Sequence, residues 1–306
     1  MSNIFDILRP DELIKLKLRC LYEDYGFAMY KMSRFEEYRF YLENKNFLVN
    51  DSVITFTDLD GRLLALKPDV TLSIVKQFDG TEQKVYYSEN VYRPDRNNRN
   101  FKEIEQLGLE YMGVVDECVV AEVISLAAKS LYTVSERSLI EIGHCGFLDA
   151  MFKHLGYGDG FRNEMTRLIS QKNFFGIRSL CEKYDLDNKA TGLLVALPDL
   201  SGEASGVIKR ARAYCLNDDM LDALISLETL TQNIATQSDI CNIAVDLSLV
   251  GEDDYYNGVV FCGYIEGLPF RVLTGGQYDG LLKKLGKQGG AIGFALYLDT
   301  LEQLFR

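Results

Sequence analysis

The stretch that decides the fold reads Tyr92-Arg93-Pro94-Asp95-Arg96-Asn97-Asn98-Arg99-Asn100-Phe101, and Glu105-Gln106-Leu107-Gly108-Leu109-Glu110 follows it. We interpret this stretch as a strand, a long polar loop and a second strand, because strand-like runs lie on both sides of the loop. Side chains two residues apart share a face of a strand, so Gln106, Gly108 and Glu110 would form the floor of a cleft. An ordinary half-exposed strand pair with polar residues facing solvent fits the same pattern.

Outward from this stretch, strand-like and helical patterns continue in both directions. Apolar residues at helical spacing after Pro10, with Gly26 at the position of a cap, predict a first helix, and residues 119–131 predict another. A hairpin is predicted at 52–66, and further strands at 84–92, 107–112, 139–142, 243–249, 259–265 and 270–273. A last helix is predicted at 293–305. Residues 150–240 carry only helical patterns, so we predict an α+β domain with a mixed sheet, interrupted once by an all-helical insertion.

Size and charge restrict the class of protein. The 306 residues, of which 47% are apolar, suffice for one large domain with an insertion or for two domains. The 45 acidic and 33 basic residues give a net charge of -12, which would repel a polyphosphate chain. Arg93, Arg96 and Arg99 form the nearest basic group, which suits a compact anionic ligand or the carboxylates of a partner better than a nucleic acid.

Cysteine usage and hydropathy indicate the compartment. Seven scattered cysteines without close pairs predict reduced, mostly buried thiols. Met1 is followed by polar and acidic residues, and no apolar run reaches the roughly 20 residues that span a membrane, so we expect a cytoplasmic protein that has no secretory leader and does not contact a membrane. His144 and His154 are the two histidines, and without clustered thiols we expect them to be structural, with no metal and no cofactor.

Two further motifs could bind a small ligand. In Leu66-Lys67-Pro68-Asp69-Val70-Thr71, an extended backbone would place Asp69 and Thr71 on one face, where both could accept hydrogen bonds from an ammonium group. A turn in which both side chains bind nearby backbone amides explains the motif equally well. In Thr274-Gly275-Gly276-Gln277-Tyr278-Asp279-Gly280, we expect Gly275 and Gly276 to end a strand and to let a ligand approach the backbone.

Taken in order, these motifs resemble the catalytic domain of a class II histidyl-tRNA synthetase. The Leu66–Thr71 motif is similar to that family's Leu-Arg-Pro-Glu-Gly-Thr, Asp254-Tyr255-Tyr256 to its Leu-Asp-Tyr-Tyr, 275–280 to its Gly-Gly-Arg-Tyr-Asp-Gly, and 293–301 to its third motif. The resemblance implies a six-stranded antiparallel sheet flanked by helices, formed by a core of residues 1–149 and 241–306 around the insertion at 150–240. It also implies a histidine-like pocket of Asp69, Thr71, Arg93, Gln106, Glu110, Tyr255, Tyr256, Gly275 and Gly276.

The resemblance implies a role for most of these residues. Asp69, Thr71 and Gln106 would surround the ammonium group of an amino acid. Glu110 and Tyr255 would lie near the imidazole, and Arg93 near the carboxylate or phosphate.

The departures from the family pattern bear on function. Gly251, Gln277 and Thr300 stand where the synthetases have arginines, and Ser33 stands near the proline of their dimer interface. Loss of one preorganised charge costs on the order of 3 kcal/mol of transition-state stabilisation, so we expect little adenylation. Because the third motif lies close to Arg306, we also expect no anticodon-binding domain and no binding of tRNA.

A synthetase-like core with these losses resembles the regulatory subunits of ATP phosphoribosyltransferase. This second resemblance implies a non-catalytic protein that partners a short-form catalytic subunit in the first step of histidine biosynthesis, with L-histidine as an effector. It also implies a homodimer within a larger hetero-oligomer. Two alternatives remain open, a divergent synthetase-like enzyme that activates an amino acid with ATP and a fold retained as an interaction module with an empty cleft.

Overall fold

The computed structural model describes residues 7–44, 53–95, 100–237, 242–249, 256–301 and 304. Two sheets are built from strands β1 (Ala28–Met29), β2 (Phe35–Glu37), β3 (Thr55–Thr57), β4 (Leu63–Leu66), β5 (Gln83–Asp95), β6 (Asn100–Gly113), β7 (Ser138–His144), β8 (Ser201–Gly202), β9 (Ile243–Asp246), β10 (Val259–Ile265), β11 (Leu273–Gln277) and β12 (Gly290–Tyr297).

The helices fall before, between and after these strands. They are α1 (Pro10–Asp24), α2 (Tyr38–Glu43), α3 (Thr71–Gln77), α4 (Glu117–Val134), α5 (Cys145–Leu155), α6 (Asp159–Ser170), α7 (Phe174–Lys183), α8 (Asn188–Ala196), α9 (Ala204–Arg212), α10 (Asp218–Gln237), α11 (Asp279–Lys284) and α12 (Leu298–Leu301). The first helix begins at Pro10 as predicted, and Gly26 lies just beyond its end with φ +80°.

The large sheet has the order β1-β5-β6-β12-β11-β10-β7-β9-β8. Six consecutive strands, from β5 to β7, pair antiparallel. At one edge β1 pairs parallel with β5, and at the other β9 pairs parallel with β7 and antiparallel with β8. The predicted fold class, an α+β protein with a mainly antiparallel mixed sheet flanked by helices, is therefore confirmed.

One face of the large sheet packs against α1, α4 and the helices between Cys145 and Gln237. Leu107, Leu109, Phe261 and Phe294 are among the strand residues on this face, and they share one apolar core with the helices. Because the helices of the predicted insertion bury their apolar side chains in this same core, each such side chain stabilises the sheet as well, by about 1.5–3 kcal/mol. The boundaries 150 and 240 stay a prediction. The segment is not all-helical, because Ser201–Gly202 forms the edge strand β8, which pairs with β9.

The opposite face of the sheet packs against a second apolar core. Val85, Tyr87, Met112 and Ala291 of the large sheet meet buried side chains of α3 and α11 there. Beside them the predicted hairpin is present as β3 and β4, which form a three-stranded sheet with β2. A sheet covered on both faces has apolar residues at consecutive positions, and this hides the alternating pattern of a strand.

The predicted C-terminal helix at 293–305 is wrong. Residues Gly290–Tyr297 form β12, which lies between β6 and β11, and the helix α12 covers only Leu298–Leu301. Ile292, Phe294 and Leu296 face the first core, while Ala291 faces the second. The chain is extended here because its backbone groups form hydrogen bonds with β6 on one side and β11 on the other.

Three other predictions need correction. The strand predicted at 270–273 lies at Leu273–Gln277, so Gly275 and Gly276 are inside β11 and do not end it. Strands β5 and β6 extend to Asp95 and from Asn100, which leaves a shorter loop than predicted. The six described cysteines form no disulfide, but only Cys181 and Cys262 among them are buried. Cys241 lies outside the described residues. In the part of the chain that the structure describes, no helix has the length and apolarity to cross a membrane.

Candidate functional site

The candidate site lies on the second-core face of the sheet, where β6 pairs with β12. Gln106, Gly108 and Glu110 share this face as predicted, and they lie opposite Tyr297, Ala295 and Gly293 in register. Gln106 is 3% exposed and Glu110 is 2% exposed. The alternative interpretation, in which these polar side chains face solvent, is therefore wrong.

Glu110 is the buried acid at the centre of the site. Its Oε1 accepts a hydrogen bond of 2.6 Å from the hydroxyl of Thr71, and its Oε2 accepts one from the hydroxyl of Tyr278. Burial raises the pKa of Glu110 to about 8, and the nearby charge of Asp69 adds to the rise, while the two hydroxyls oppose it. The protonated form of this carboxyl therefore predominates at neutral pH.

Asp69 reaches the site from a turn and not from an extended stretch. Val70 has helical angles, φ -89° and ψ -46°, and α3 begins at Thr71. Oδ1 of Asp69 accepts a hydrogen bond of 2.9 Å from the amide of Leu72, so the turn interpretation is correct for this residue. Thr71 instead directs its hydroxyl at Glu110. The two side chains therefore do not form the extended ammonium-binding pair that the spacing predicted.

Two cations lie close to these acids, and each is paired. Arg93 donates through Nε to the carbonyl of Pro68 at 2.9 Å, and its Nη2 lies 3.7 Å from Oδ2 of Asp69. Burial raises the pKa of Asp69, and the charge of Arg93 opposes the rise. Lys67 is 1% exposed, and its Nζ lies 2.9 Å from Oε2 of Glu89. Burial lowers the pKa of Lys67, and the contact with Glu89 opposes this effect.

Glycines on the site face leave space that the neighbouring side chains occupy. A Cβ at Gly108 would lie 2.2 Å from the carbonyl oxygen of Phe294 and 2.6 Å from the hydroxyl of Tyr87. At Gly276 a Cβ would lie 2.6 Å from the ring of Tyr256, so this glycine and this tyrosine meet as part of the site. A Cβ at Gly275 would instead meet the ring of Phe261 in the first core at 2.5 Å. Gly275 therefore faces away from the site.

Two of the three positions where the resemblance expects arginines lie within the described chain. Gln277 donates from Nε2 to Oδ2 of Asp279 at 2.8 Å, and the hydroxyl of Thr300 donates to the carbonyl of Tyr297. Both side chains are bound to near neighbours in the sequence. Gly251 and Tyr255 lie outside the described residues.

Sequence reasoning missed Tyr278, Gly293, Glu89 and Tyr87 as site residues. Tyr278 was within reach, because it lies in the glycine motif two residues after Gly276, where the alternation of a strand returns to the same face. Glu89 and Tyr87 alternate on β5 in the same way. Gly293 carries no local signal, since its role depends on Glu110 in the neighbouring strand.

His144 has a structural role, as expected. Its Nδ1 accepts a hydrogen bond of 3.1 Å from the amide of Gly146, so the imidazole caps the N-terminus of α5. Burial lowers the pKa of His144, which keeps the neutral, hydrogen-bond-accepting form.

The family model for histidyl-tRNA synthetase matches residues 8–301. The chain is 30% identical to an ATP phosphoribosyltransferase regulatory subunit of Clostridium kluyveri, over 93% of this chain and 75% of that protein. The chain belongs to the histidyl-tRNA synthetase family, in the group of ATP phosphoribosyltransferase regulatory subunits. A regulatory subunit from Oceanobacillus iheyensis is 28% identical, over 97% of this chain and 74% of the relative.

Solved structures of the family have the same fold. A crystal structure from Bacillus halodurans, described as an ATP phosphoribosyltransferase regulatory subunit/histidyl-tRNA synthetase, matches with a TM-score of 0.85 and 26% identity, over 97% of this chain and 79% of that one. The histidyl-tRNA synthetase of Nostoc matches with a TM-score of 0.79 and 16% identity, over 96% and 71%. A chain of the HisG:HisZ complex of Thermotoga maritima matches with 0.74 and 18%, over 94% and 97%. The last two likenesses show the fold alone.

Proposed function

We propose that this chain is a non-catalytic regulatory subunit that assembles with a short-form ATP phosphoribosyltransferase and enables the first step of histidine biosynthesis. One observation carries the proposal. In a chain of the regulatory-subunit group, the two cations beside the candidate site, the half-buried Arg93 and the buried Lys67, are each paired with a carboxylate. The cytoplasm is the expected compartment.

The pairing of Arg93 and Lys67 and the lack of further cations at the expected arginine positions argue against adenylation. Transfer of a nucleotide needs positive charges aimed at the phosphates, because charge develops there in the transition state. Gln277 and Thr300 stand at two of the positions where the resemblance expects arginines and bind neighbouring groups, and Gly251 brings no charge at the third. Each lost charge costs on the order of 3 kcal/mol of transition-state stabilisation. We therefore expect a polar pocket that does not catalyse adenylation.

The pocket is suited to a small amino acid such as L-histidine. Asp69 and the largely protonated Glu110 offer oxygen ligands to an ammonium and to a ring nitrogen, and Tyr256 offers an aromatic wall. We propose that Asp69, Thr71, Arg93, Gln106, Glu110, Tyr256 and Gly276 form this pocket. Tyr255, which lies outside the described residues, is included from the resemblance alone. We withdraw Gly275 because it faces the other core. Histidine can regulate the assembly only if its affinity differs between the active and inactive states.

The partner we propose is the catalytic subunit, which this chain would join as a homodimer within a hetero-oligomer. The test mixes the purified chain with a short-form catalytic subunit and measures phosphoribosyl-ATP formation and co-elution in gel filtration. We expect the activity to rise with the amount of added chain until it saturates. Absence of both stimulation and co-elution rejects the proposal.

A second assay addresses the alternative of a divergent enzyme. Histidine-dependent exchange of pyrophosphate into ATP requires adenylation, and we expect none from the chain alone. Exchange at an ordinary enzymatic rate would replace the regulatory proposal with the enzymatic one.

A further inference from the structure

A polar cavity lies at the other end of the same sheet face, and its lining shares no residue with the candidate site. Its volume is about 350 Å³, which is within the range of small-molecule sites. Strands, the loop after α6 and the segment before β11 all contribute to its lining of Leu139, Glu141, Ser170, Lys172, Asp246, Ser248, Leu249, Tyr264 and Arg271.

Glu141 and Tyr264 are neighbours across the pair β7 and β10. Glu141 lies opposite Cys262 and Tyr264 lies opposite Leu139, so the acid and the phenol are diagonal on one face. Tyr264 lies near two opposite charges: burial raises its pKa, the carboxylate of Glu141 adds to the rise, and the guanidinium of Arg271 opposes it. Glu141 and Arg271 therefore bring opposite charges to the lining of one cavity.

A second acid strengthens the negative end. Asp246 is 7% exposed, and its Oδ1 accepts from the amide and the hydroxyl of Ser248 at 2.8 and 2.6 Å. These hydrogen bonds fix the carboxylate beside Glu141. Burial and the charge of Asp246 both raise the pKa of Glu141, which shows that the two acids repel each other. A bound cationic group would relieve this repulsion.

A second cation strengthens the positive end. Lys172 is exposed just after α6, in the left-handed conformation with φ +50°, and two backbone hydrogen bonds hold the turn, one from the Lys172 amide to Ile169 and one from the Asn173 amide to Leu168. Its charge acts on Glu141 together with that of Arg271. Both cations lie at the exposed rim, whereas Asp246 lies deeper.

We propose that this cavity binds a free zwitterionic α-amino acid. The ammonium group would lie between Glu141 and Asp246, and the carboxylate would meet Arg271 and Lys172. Leu139 and Leu249 would contact the aliphatic part of the ligand. A ligand with both charges can interact with both ends of the cavity, whereas an amine or an acid alone can interact favourably with only one.

The test measures binding to the purified full chain by isothermal titration calorimetry. The probes are glycine, L-leucine and L-histidine, with 3-methylbutylamine and 4-methylpentanoate as the single-charge counterparts of leucine. We expect saturable binding of at least one amino acid, and at least tenfold weaker binding of both single-charge compounds. Binding of none of the three amino acids, or equal binding of the amine or acid, overturns the proposal.

Variants assign the binding to this cavity. Glu141→Gln and Arg271→Gln should each weaken the affinity at least tenfold, while Lys153→Gln, on the exposed surface of α5, should leave it unchanged. Arg271 is exposed, so its variant decides the question if Glu141→Gln fails to fold, as judged by the thermal transition. Loss of binding in Asp69→Asn with full binding in Arg271→Gln would place the ligand in the other pocket and overturn the proposal. The assay uses the chain alone, so its result does not depend on stimulation of a phosphoribosyltransferase.

Discussion

Gly293 of β12 lies directly opposite Glu110 of β6, and a methyl group at position 293 would lie 1.7 Å from Oε2 of Glu110. The buried carboxyl therefore fits into the sheet only because the neighbouring strand has no side chain at this point. Oε2 also accepts a hydrogen bond from the hydroxyl of Tyr278, which further fixes the position of the carboxyl. The acid of the candidate site is fixed by a strand that is remote in sequence.

The variant Gly293→Ala should destabilise the fold by about 1–3 kcal/mol, because the added methyl overpacks a filled site. Urea denaturation measures the change in the free energy of unfolding. Gly192→Ala in α8 is the matched control, since nothing lies within 4 Å of its added methyl. In a helix this control should be neutral or stabilising by up to about 1 kcal/mol. Equal effects of the two variants would contradict our account of the carboxyl's position.

The raised pKa of Glu110 predicts a pH dependence of stability. The folded state keeps a proton that the unfolded chain releases above about pH 4.5, so this contribution is full below that pH and is lost as the pH rises toward about 8. Glu110→Gln cannot titrate. Between pH 5 and pH 8 the wild type should therefore lose stability relative to this variant, as measured by urea denaturation at several pH values. Parallel curves would show that Glu110 titrates normally.

The buried Lys67 should matter more than an exposed cation. Lys67→Met leaves Glu89 without its partner, and breaking a buried ion pair costs roughly 3–5 kcal/mol. Glu89 is partly exposed, so we expect the lower end of this range. The double variant with Glu89→Leu should recover part of the loss. Arg212→Met, which breaks the half-exposed pair with Glu228, should cost less than about 1 kcal/mol. Similar losses of unfolding free energy in Lys67→Met and Arg212→Met would contradict the expected difference between the buried and the half-exposed pair.

The cap of α5 gives a second pH-dependent contribution, with the opposite sign. Burial lowers the pKa of His144, so its stabilisation is present above the ordinary value of 6.5 and is lost as the pH falls through the lowered pKa. His144→Asn keeps an acceptor for the Gly146 amide but does not titrate. The wild type should lose thermal stability relative to this variant below pH 6.5. His144→Ala should cost about 1 kcal/mol at pH 8.

The regulatory proposal predicts the effect of Asp69→Asn on feedback. If histidine binds beside Asp69, this variant should raise the histidine concentration for half-inhibition of the assembled phosphoribosyltransferase at least tenfold. The readout is the ratio of activities with and without histidine, which corrects for any change in assembly. An unchanged ratio across the titration would place the effector site elsewhere.

Local sequence was sufficient where a signal repeats within a few residues. Pro10 and Gly26 bound the first helix because both act on the backbone conformation directly. The hairpin of β3 and β4 follows from the turn at Asp58, whose carboxylate accepts from the amides of Asp60 and Arg62. Gln106 and Glu110 were placed on one face by the period of a strand.

Only the tertiary structure decided the remainder, because the relevant contacts join distant segments. Residues Gly290–Tyr297 became a strand since two neighbouring strands satisfy their backbone groups, although their small and apolar side chains also suit a helix. Burial raises the pKa of Glu110, and Asp69 lies close enough to Arg93 to form an ion pair with it. The sequence by itself determined which residues share a face, whereas desolvation and the pairing of charges depend on what packs above that face.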